Sequence, residues 1–385
     1  MKQIVVRGPV LTQSGYGVHS RQIARWLIER PGDNDVIMGA LPWGATPWLL
    51  NESLNDGLIG KIMQRSKPIN QPVDVSFQVQ LPNEWDPNLA RFNVGVTAAV
   101  ETDKCNPAWI NACNKMQAIV VPSEHVKKAL TNTGNITVPL HVIPEAYHDA
   151  VATKMPQLDL DISTDFNFLV FGQITGTNPE NDRKNIFYTL RWLCEEFANN
   201  GDVGIILKTN TARNTRIDRH NVTRLVQKLI GEVRKGPYPR IHLLHGAMSD
   251  DEVAALYQHP KVKCFVSLTR GEGYGLPTLE AAASGLPIIA TGWSGHMDFL
   301  KLGKFIEVYY DLRAIHKSRV DNQIFMEGAK WAEPSALDFK KRVRKFYESH
   351  DVPRQWALDL QSKIVPRYSF NEIAKTYEST FQGVL

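Results

Sequence analysis

Apolar residues in the first 150 positions fall into short β-branched runs separated by stretches of helical spacing. QIVVRG (3–8) has the pattern of a strand, and GYGVHSRQIARWLIER (15–30) that of an amphipathic helix, with Ile23, Trp26, Leu27 and Arg30 at helical intervals. Further strands are predicted at VDVSFQV (73–79), FNVGVTAAV (92–100), AIVVPS (118–123) and LHVIP (140–144), and helices at PAWINACNKM (107–116) and EHVKKAL (124–130). From EAYHDAVATK onward the apolar period is lost, then the alternation restarts. FNFLVFG (166–172), VGIILKTN (203–210), RIHLLHG (240–246), VKCFVSL (262–268) and LPIIAT (286–291) predict strands, with helices at KNIFYTLRWLCEEFA (184–198) and SDDEVAALYQ (249–258). The last of these opens on Ser249 with Glu252 three residues on, the pattern of a capping box.

Strands alternating with helices imply parallel sheets with helical crossovers, hence an α/β fold built from two doubly wound, Rossmann-like domains with a cleft between them. The predicted boundaries are 1–150 for the first domain, 151–165 for a linker, 166–350 for the second domain and 351–385 for C-terminal helices interrupted at Pro366 and able to pack back on the first domain.

Composition narrows the setting. The chain has 385 residues, enough for two buried cores, with 43% hydrophobic and 22% charged residues. No apolar run approaches the length of a membrane span, and the N-terminus lacks the apolar core of a signal peptide. The four cysteines, Cys105, Cys113, Cys194 and Cys264, show no paired spacing, so a disulfide framework and a zinc ribbon are not expected and a cytoplasmic setting is. The net charge of +4 arises beyond residue 150, since residues 1–150 balance 13 basic against 13 acidic side chains. Its densest run, FKKRVRKFY (339–347), reads either as a solvated helix face or as a contact for anionic lipid or nucleic acid.

Candidate chemistry concentrates in SLTRGEGYGLPTLEAAASGLPIIAT (267–291). A strand ends before Thr269 and Arg270, a glycine loop follows, Pro277 suits the first position of a helix, and Gly285 stops that helix. Backbone N–H groups and the positive end of a helix dipole then converge at the carboxyl end of a strand, where phosphate binds in open α/β sheets. Two acids, Glu272 and Glu280, flank this site, and carboxylates beside a phosphate site are suited to gripping hydroxyls. Ribose, diphosphate and a second sugar occur together in a nucleotide-sugar. With Glu280 placed in the first helical turn, the two acids would hold its ends and the amides its middle.

This string, E-x7-E followed by A-x-G-x-P-I-I-A-T, resembles the signature of the family-four-type retaining glycosyltransferases of GT-B fold. The resemblance runs through IHLLHGAMSDDEVAALYQ to GWSGHMDF and continues upstream in SGYG, ETDKCNPAWI, IVVPSEHVKKAL and DRKNI. It implies that Glu280 binds the donor ribose and that Glu272 faces the transferred sugar in a catalytic role. It also implies that Gly273, Tyr274, Gly275 and Leu276 supply backbone contacts to sugar and phosphate, and that Lys184 neutralises the diphosphate. Gly15 and Gly17 match the family's N-terminal glycine loop, which reaches donor phosphate and acceptor.

Two departures stand out. Where the family has Gly-Arg after the second domain's first strand, this chain has Gly172-Gln173, leaving Arg183 to compensate although adjacent residues point apart. Where relatives place a histidine near the reacting carbon, this chain carries Glu101, Thr102 and Asp103, so Glu101, backed by Asp103, is the catalytic candidate there.

The resemblance thus implies a metal-independent hexosyl- or pentosyltransferase with a nucleotide-diphosphate sugar as co-substrate. Its acceptor would be a saccharide or lipid-linked glycan, met in the cytoplasm or peripherally at the inner membrane face. Transfer to modified bases of nucleic acid is the alternative that the basic run suggests, and a non-catalytic sugar-nucleotide or glycan-binding protein is the alternative from another class.

Each candidate also has a plain structural reading: Gly15 and Gly17 as a turn, Lys184 as a helix-start lysine, Glu101 and Asp103 as loop caps, Trp43 and Trp48 as local packing. Asp159 and Asp161 imitate a metal-binding DxD but fall in the predicted linker, and no metal site is expected. SGYGVHS lacks the third glycine of a dinucleotide fingerprint.

Overall fold

The computed structural model describes residues 2–32, 34–69, 72–176 and 178–385. Residues 1–146, 322–326 and 368–385 form one compact unit, and residues 147–321 and 327–367 another.

In the first unit the elements run β1 (Lys2–Gly8), α1 (Gly15–Glu29), β2 (Asn34–Ala40), α2 (Leu58–Arg65), β3 (Val73–Val79), β4 (Ala90–Val96), α3 (Pro107–Cys113), β5 (Ala118–Val121), α4 (Glu124–Thr133) and β6 (Leu140–Val142). The six strands are parallel in the order β2-β1-β3-β4-β5-β6. Alternate residues of β1 serve opposite faces, as the pleat requires: Ile4 and Val6 join the larger core with Ile23, Trp26 and Leu27 of α1, while Val5 packs with Ile37 and Val73.

β4 ends at Val96 rather than running to residue 100, because Ala99 takes a positive φ of 42° and donates its N–H to Thr97 Oγ1 at 3.0 Å. β2 and α2 were not legible from the pattern. In β2 the apolar run is only Val36 to Met38, and α2, although amphipathic with Leu58, Ile59 and Ile62 buried, spans just eight residues.

The second unit contains β7 (Phe166–Phe171), α5 (Ile186–Glu196), β8 (Val203–Thr209), α6 (Arg216–Val233), β9 (Arg240–His245), α7 (Asp250–Tyr257), β10 (Val262–Ser267), α8 (Leu276–Ala283), β11 (Ile288–Thr291), α9 (Met297–Leu300), β12 (Ile306–Val308), an antiparallel hairpin β13 (Tyr310–Ala314) and β14 (Lys330–Pro334), α10 (Ala336–Glu348) and α11 (Asp351–Ile364). Its sheet is parallel in the order β12-β11-β10-β7-β8-β9. The first strand of the unit thus sits in the middle and the chain winds outward both ways, the doubly wound pattern. Phe168, Leu190, Leu193, Phe197, Val266 and Phe346 lie at the centre of its core. The capping box at Ser249 and Glu252 forms as its residues predict, with Ser249 N–H donating to Glu252 Oε2 at 2.7 Å.

The last helix, α12 (Phe370–Phe381), belongs to the first unit. It follows a turn containing Pro366 and is capped by Ser369. Tyr377 sets its ring 5.1 Å from that of Trp26, and Glu378 accepts from Arg30 Nε at 2.8 Å and from Trp26 Nε1 at 3.2 Å. The four cysteines are buried free thiols, and no described helix is long and apolar enough to cross a membrane.

Candidate functional site

The sheet of the second unit reverses direction of growth between β7 and β10, and a crevice for ligands opens at the carboxyl ends of strands at such a switch point. The loop after β7 carries Arg183 and Lys184; the loop after β10 carries Glu272 to Gly275. The structure brings them together. Lys184 Nζ donates to Glu272 Oε1 at 2.5 Å, and Arg183 Nη1 donates to Glu272 Oε2 at 3.4 Å and to the carbonyl of Gly271 at 2.8 Å.

The cation loop is shaped by Asp182, which is fully buried. Its carboxylate accepts from the N–H and hydroxyl of Thr175 on one side and from Ile186 N–H at 2.7 Å on the other, stapling the loop to the start of α5. Asn185 then takes a positive φ of 55°. This turn at the helix entry is why adjacent Arg183 and Lys184 do not point apart, contrary to expectation: both reach the same carboxylate. Gly172 lies beside the Lys184 stem, where a Cβ would make only ordinary contact with Cδ at 3.6 Å, and Gln173 is exposed.

The glycine loop has an equally definite cause. Gly275 adopts φ 97°, and a Cβ on it would stand 2.9 Å from Cβ of His296, so only glycine fits. α8 begins at Leu276, one residue earlier than expected. Pro277 is therefore its second residue, and Glu280 falls just beyond the first turn instead of within it. Gly285, at φ 75°, ends the helix as the sequence indicated.

A third loop, residues 292–296 after β11, completes the site and carried no assigned role in the sequence. Glu272 N–H donates to Ser294 Oγ at 2.9 Å, and Gly295 N–H donates to the Glu272 carbonyl at 2.9 Å. A Cβ on Gly295 would overlap the carbonyl of Gly273. Ser294 is held at φ 88°, a conformation that side-chain-bearing residues rarely adopt. The available signal was the run Gly-Trp-Ser-Gly-His directly after a predicted strand.

Electrostatics set the two glutamates apart. Burial would raise the carboxyl of Glu272, which is 8% exposed, but Lys184 and Arg183 override it and hold the group down at about 2. His296 is fully buried, which lowers its pKa and keeps the ring neutral; its Nε2–H donates to the carbonyl of Thr291 at 2.7 Å.

Among the described residues no cation holds Glu280 in this way. Burial and the charge of Asp250 push its carboxyl up to about 8, against hydrogen bonds from the Tyr257 hydroxyl (3.4 Å) and the backbone of His148. At neutral pH it is largely protonated and can donate as well as accept. Another group unread in the sequence is Lys208, at the end of β8. It is 1% exposed, donates to Asn210 Oδ1 at 2.7 Å and the Gly246 carbonyl at 2.6 Å, and is lowered by burial to about 8.

Within the first unit, Gly15 and Gly17 belong to the helix predicted over 15–30 and not to a free loop. They occupy the first turn of α1, whose cap Ser14 accepts from Gly17 N–H at 2.9 Å. A Cβ on Gly17 would overlap the Thr12 carbonyl, whereas one on Gly15 would meet nothing within 4 Å. Between them Tyr16 stacks on Trp43 at 4.1 Å, and its hydroxyl pairs with Thr97 Oγ1 at 2.9 Å and accepts from Ala98 N–H at 3.1 Å. Trp43 is thus locally packed, and Trp48 is 43% exposed.

Glu101 lies on the loop that Tyr16 anchors, and its charge, after burial, contributes to raising the Tyr16 hydroxyl. Neither Glu101 nor Asp103 is the cap of α3: that is Asn106, which accepts from Ala108 N–H at 2.9 Å. The Asp103 carbonyl accepts from Asn132 Nδ2 at 3.3 Å. Asp159 and Asp161 are exposed, and among the described residues no three His, Cys, Asp or Glu side chains converge. In α10 the basic run is largely paired: Lys340 with Glu195 at 2.5 Å, Arg342 with Asp338 at 2.6 Å and Arg344 with Glu196 at 2.7 Å.

Residues 228–318 match the family model of glycosyl transferases group 1. Over 65 residues, 17% of this chain, the sequence is 45% identical to the MMP alpha-(1->4)-mannosyltransferase of Mycolicibacterium hassiacum, and this covers 15% of that relative's length. Among solved structures, Anabaena HepE in complex with UDP and glucose is similar over 100% of both chains, with a TM-score of 0.66 and 12% identity. Sucrose-phosphate synthase from Thermosynechococcus elongatus is similar over 100% of this chain and 99% of its own, with a TM-score of 0.64 and 12% identity. At such identity the likeness establishes the fold alone, which is α/β of the GT-B type. The group 1 match and this fold bear out the resemblance to family-four-type glycosyltransferases of GT-B fold.

Proposed function

We propose that this chain is a retaining, metal-independent glycosyltransferase that moves a hexosyl or pentosyl group from a nucleoside-diphosphate sugar to a hydroxyl of a saccharide or lipid-linked glycan. The observation that carries the reading is the convergence of Lys184, Arg183 and Glu272 beside the Gly273–Leu276 loop, at the switch point of a doubly wound sheet. The group 1 match across residues 228–318 supports the same reaction class.

A diphosphate needs positive charge to leave, and here Lys184, Arg183 and the amides at the start of α8 supply it. Without donor, the two cations are engaged by Glu272. As the diphosphate draws them off, Glu272 turns its carboxylate to the hydroxyls of the transferred sugar and to the positive charge that grows at its anomeric carbon. Glu280, able to donate and accept, takes the ribose hydroxyls. Arg183 serves as the second cation that Gln173 does not provide. A leaving phosphate oxygen takes the acceptor proton, so the bond to the acceptor oxygen forms on the face from which the diphosphate departs, giving retention. Glu101, with Asp103 behind it, orients the acceptor hydroxyl. Pairing of the basic run in α10 favours a glycan over a nucleic-acid acceptor, and a cytoplasmic or membrane-peripheral setting suits a lipid-linked one.

The test is a thermal-shift panel of nucleotide-sugars in metal-free buffer. A donor that stabilises the wild type should also be turned over. If no nucleotide-sugar raises the melting temperature, the donor site is misassigned. If Glu272→Ala leaves turnover intact, its catalytic role is wrong, and binding without any transfer would favour a sugar-nucleotide-binding protein.

A further inference from the structure

Arg270 precedes Glu272 by two residues, is fully buried, and has no place in the chemistry above. Four of its five N–H groups are engaged. Nε and Nη2 donate to the two oxygens of Glu333 on β14, each at 2.9 Å, the planar fork that only a guanidinium provides. Nη1 donates to the carbonyls of Pro179 at 2.6 Å and Asp182 at 2.9 Å, both in the cation loop. Its backbone repeats the pattern: Arg270 N–H donates to the Arg183 carbonyl at 2.9 Å, and the Arg270 carbonyl accepts from Ala332 N–H of β14 at 2.9 Å. Tyr188 of α5 and Trp331 of β14 place their rings 5.8 and 5.3 Å from the guanidinium carbon. One residue therefore ties the cation loop, the glycine loop and the hairpin together.

We propose that the Arg270–Glu333 pair is a positioning clamp that forces the adjacent Arg183 and Lys184 to converge on Glu272, and so sets the donor-phosphate site. The inference rests on the donor-site reading above and explains how a chain with glutamine at 173 assembles two cations from neighbouring positions. The geometry excludes a looser arrangement: the carbonyls of Asp182 and Arg183 are both held by Arg270, and the Asp182 carboxylate holds both ends of the turn. Freed from the hairpin, the loop 179–184 keeps its Asp182 staple but loses its distance to Glu272. The charged and titratable groups facing Glu272 are Lys184 and Arg183 from one loop and neutral His296 from another, so its ionisation reports on the cation loop.

The decisive experiment titrates Glu272 by carboxyl-13C NMR on the full chain, without nucleotide-sugar, in wild type, Glu333→Gln and Arg270→Lys. Melting temperature and donor KM are measured alongside, with Glu378→Gln in the first unit as a destabilised control. The clamp predicts that the Glu272 midpoint rises by about one unit or more in both clamp variants. It also predicts that donor KM rises about tenfold while the Glu378 variant moves neither. Should Arg270→Lys fail to fold, Glu333→Gln decides by the same readouts. A lower melting temperature with the Glu272 midpoint and donor KM unchanged overturns the clamp and leaves the pair a purely structural one. A wild type that transfers no sugar defeats the proposed function, and the titration still judges the clamp.

Discussion

Arg183 and Lys184 are neighbours in the chain, yet their side chains meet the two oxygens of one carboxylate, Glu272, at 3.4 and 2.5 Å. In an extended segment neighbours diverge to opposite faces. Here the staple by Asp182 before the pair and the positive φ of Asn185 after it turn the backbone on either side, which makes a two-cation site out of a dipeptide.

Removal of either partner in that site has distinct expected consequences. Lys184→Met lowers kcat/KM by about 100-fold, the usual loss when one charge-stabilising donor is removed from a transfer site. Glu272→Gln lowers kcat by a similar factor but retains nucleoside-diphosphate binding, because the cations are then released to phosphate. Steady-state kinetics with isothermal titration of the nucleoside diphosphate checks both.

The two glutamates impose opposite pH dependences on stability. Glu272 ionises at about 2 when folded against 4.5 as an ordinary side chain, so it contributes stability above pH 4.5 that is lost as pH falls toward 2. Glu280 ionises at about 8 when folded, so its protonated state is favourable below pH 4.5 and stability declines as pH rises from there to 8. Urea midpoints of Glu280→Gln measured from pH 5 to 8 should be flatter than those of wild type. Glu272→Gln should remove part of the decline below pH 4.5.

Three glycines should answer differently to alanine. Gly17→Ala and Gly275→Ala each force a Cβ into an occupied position, the latter also at a positive φ, and should cost about 1–3 kcal/mol in denaturant unfolding. Gly15→Ala meets nothing, lies in the first turn of α1, and should leave stability unchanged or raise it by about 0.5–1 kcal/mol. If Gly15 also lets the backbone approach a ligand, the same variant loses activity without losing stability.

The basic run in α10 should bind duplex DNA no better than an ordinary non-specific surface, about 10⁻⁴–10⁻⁶ M at physiological salt. Its charges at 340, 342 and 344 are already met by Glu195, Asp338 and Glu196. Fluorescence anisotropy across a salt series measures this. Tight binding with a steep salt slope, abolished by Lys341→Glu, would return nucleic acid to consideration as the acceptor.

Most strands were legible because each carries a run of Val, Ile or Phe that has to be buried on a parallel sheet. The glycine loop and the helix after it were legible because positive φ demands glycine where α8 starts, at Gly275, and where it stops, at Gly285. What escaped depends on residues distant in sequence. His296 and Ser294 matter only once the loop after β11 folds against Glu272, and Arg270 gains its meaning from Glu333, 63 positions on. A Ser-Gly-Tyr-Gly segment serves equally as a glycine loop or as the capped start of the helix predicted over 15–30, and Ser14 decides for the helix.

The membership of α12 in the first unit bears on the order in which this protein can be made. Phe370, Tyr377 and Phe381 lie in the same buried cluster as Ile4 and Trp26, at the opposite end of the chain. During synthesis residues 1–146 leave the ribosome ahead of the second unit, but that core stays open until α12 has followed it. The second unit, whose segments end at residue 367, has all its residues before then. Between these two units the usual sequence, in which the N-terminal part folds first, is therefore reversed. A stop codon or proteolytic cut just before α12 would expose a hydrophobic face on the unit whose first 146 residues were synthesised before the second.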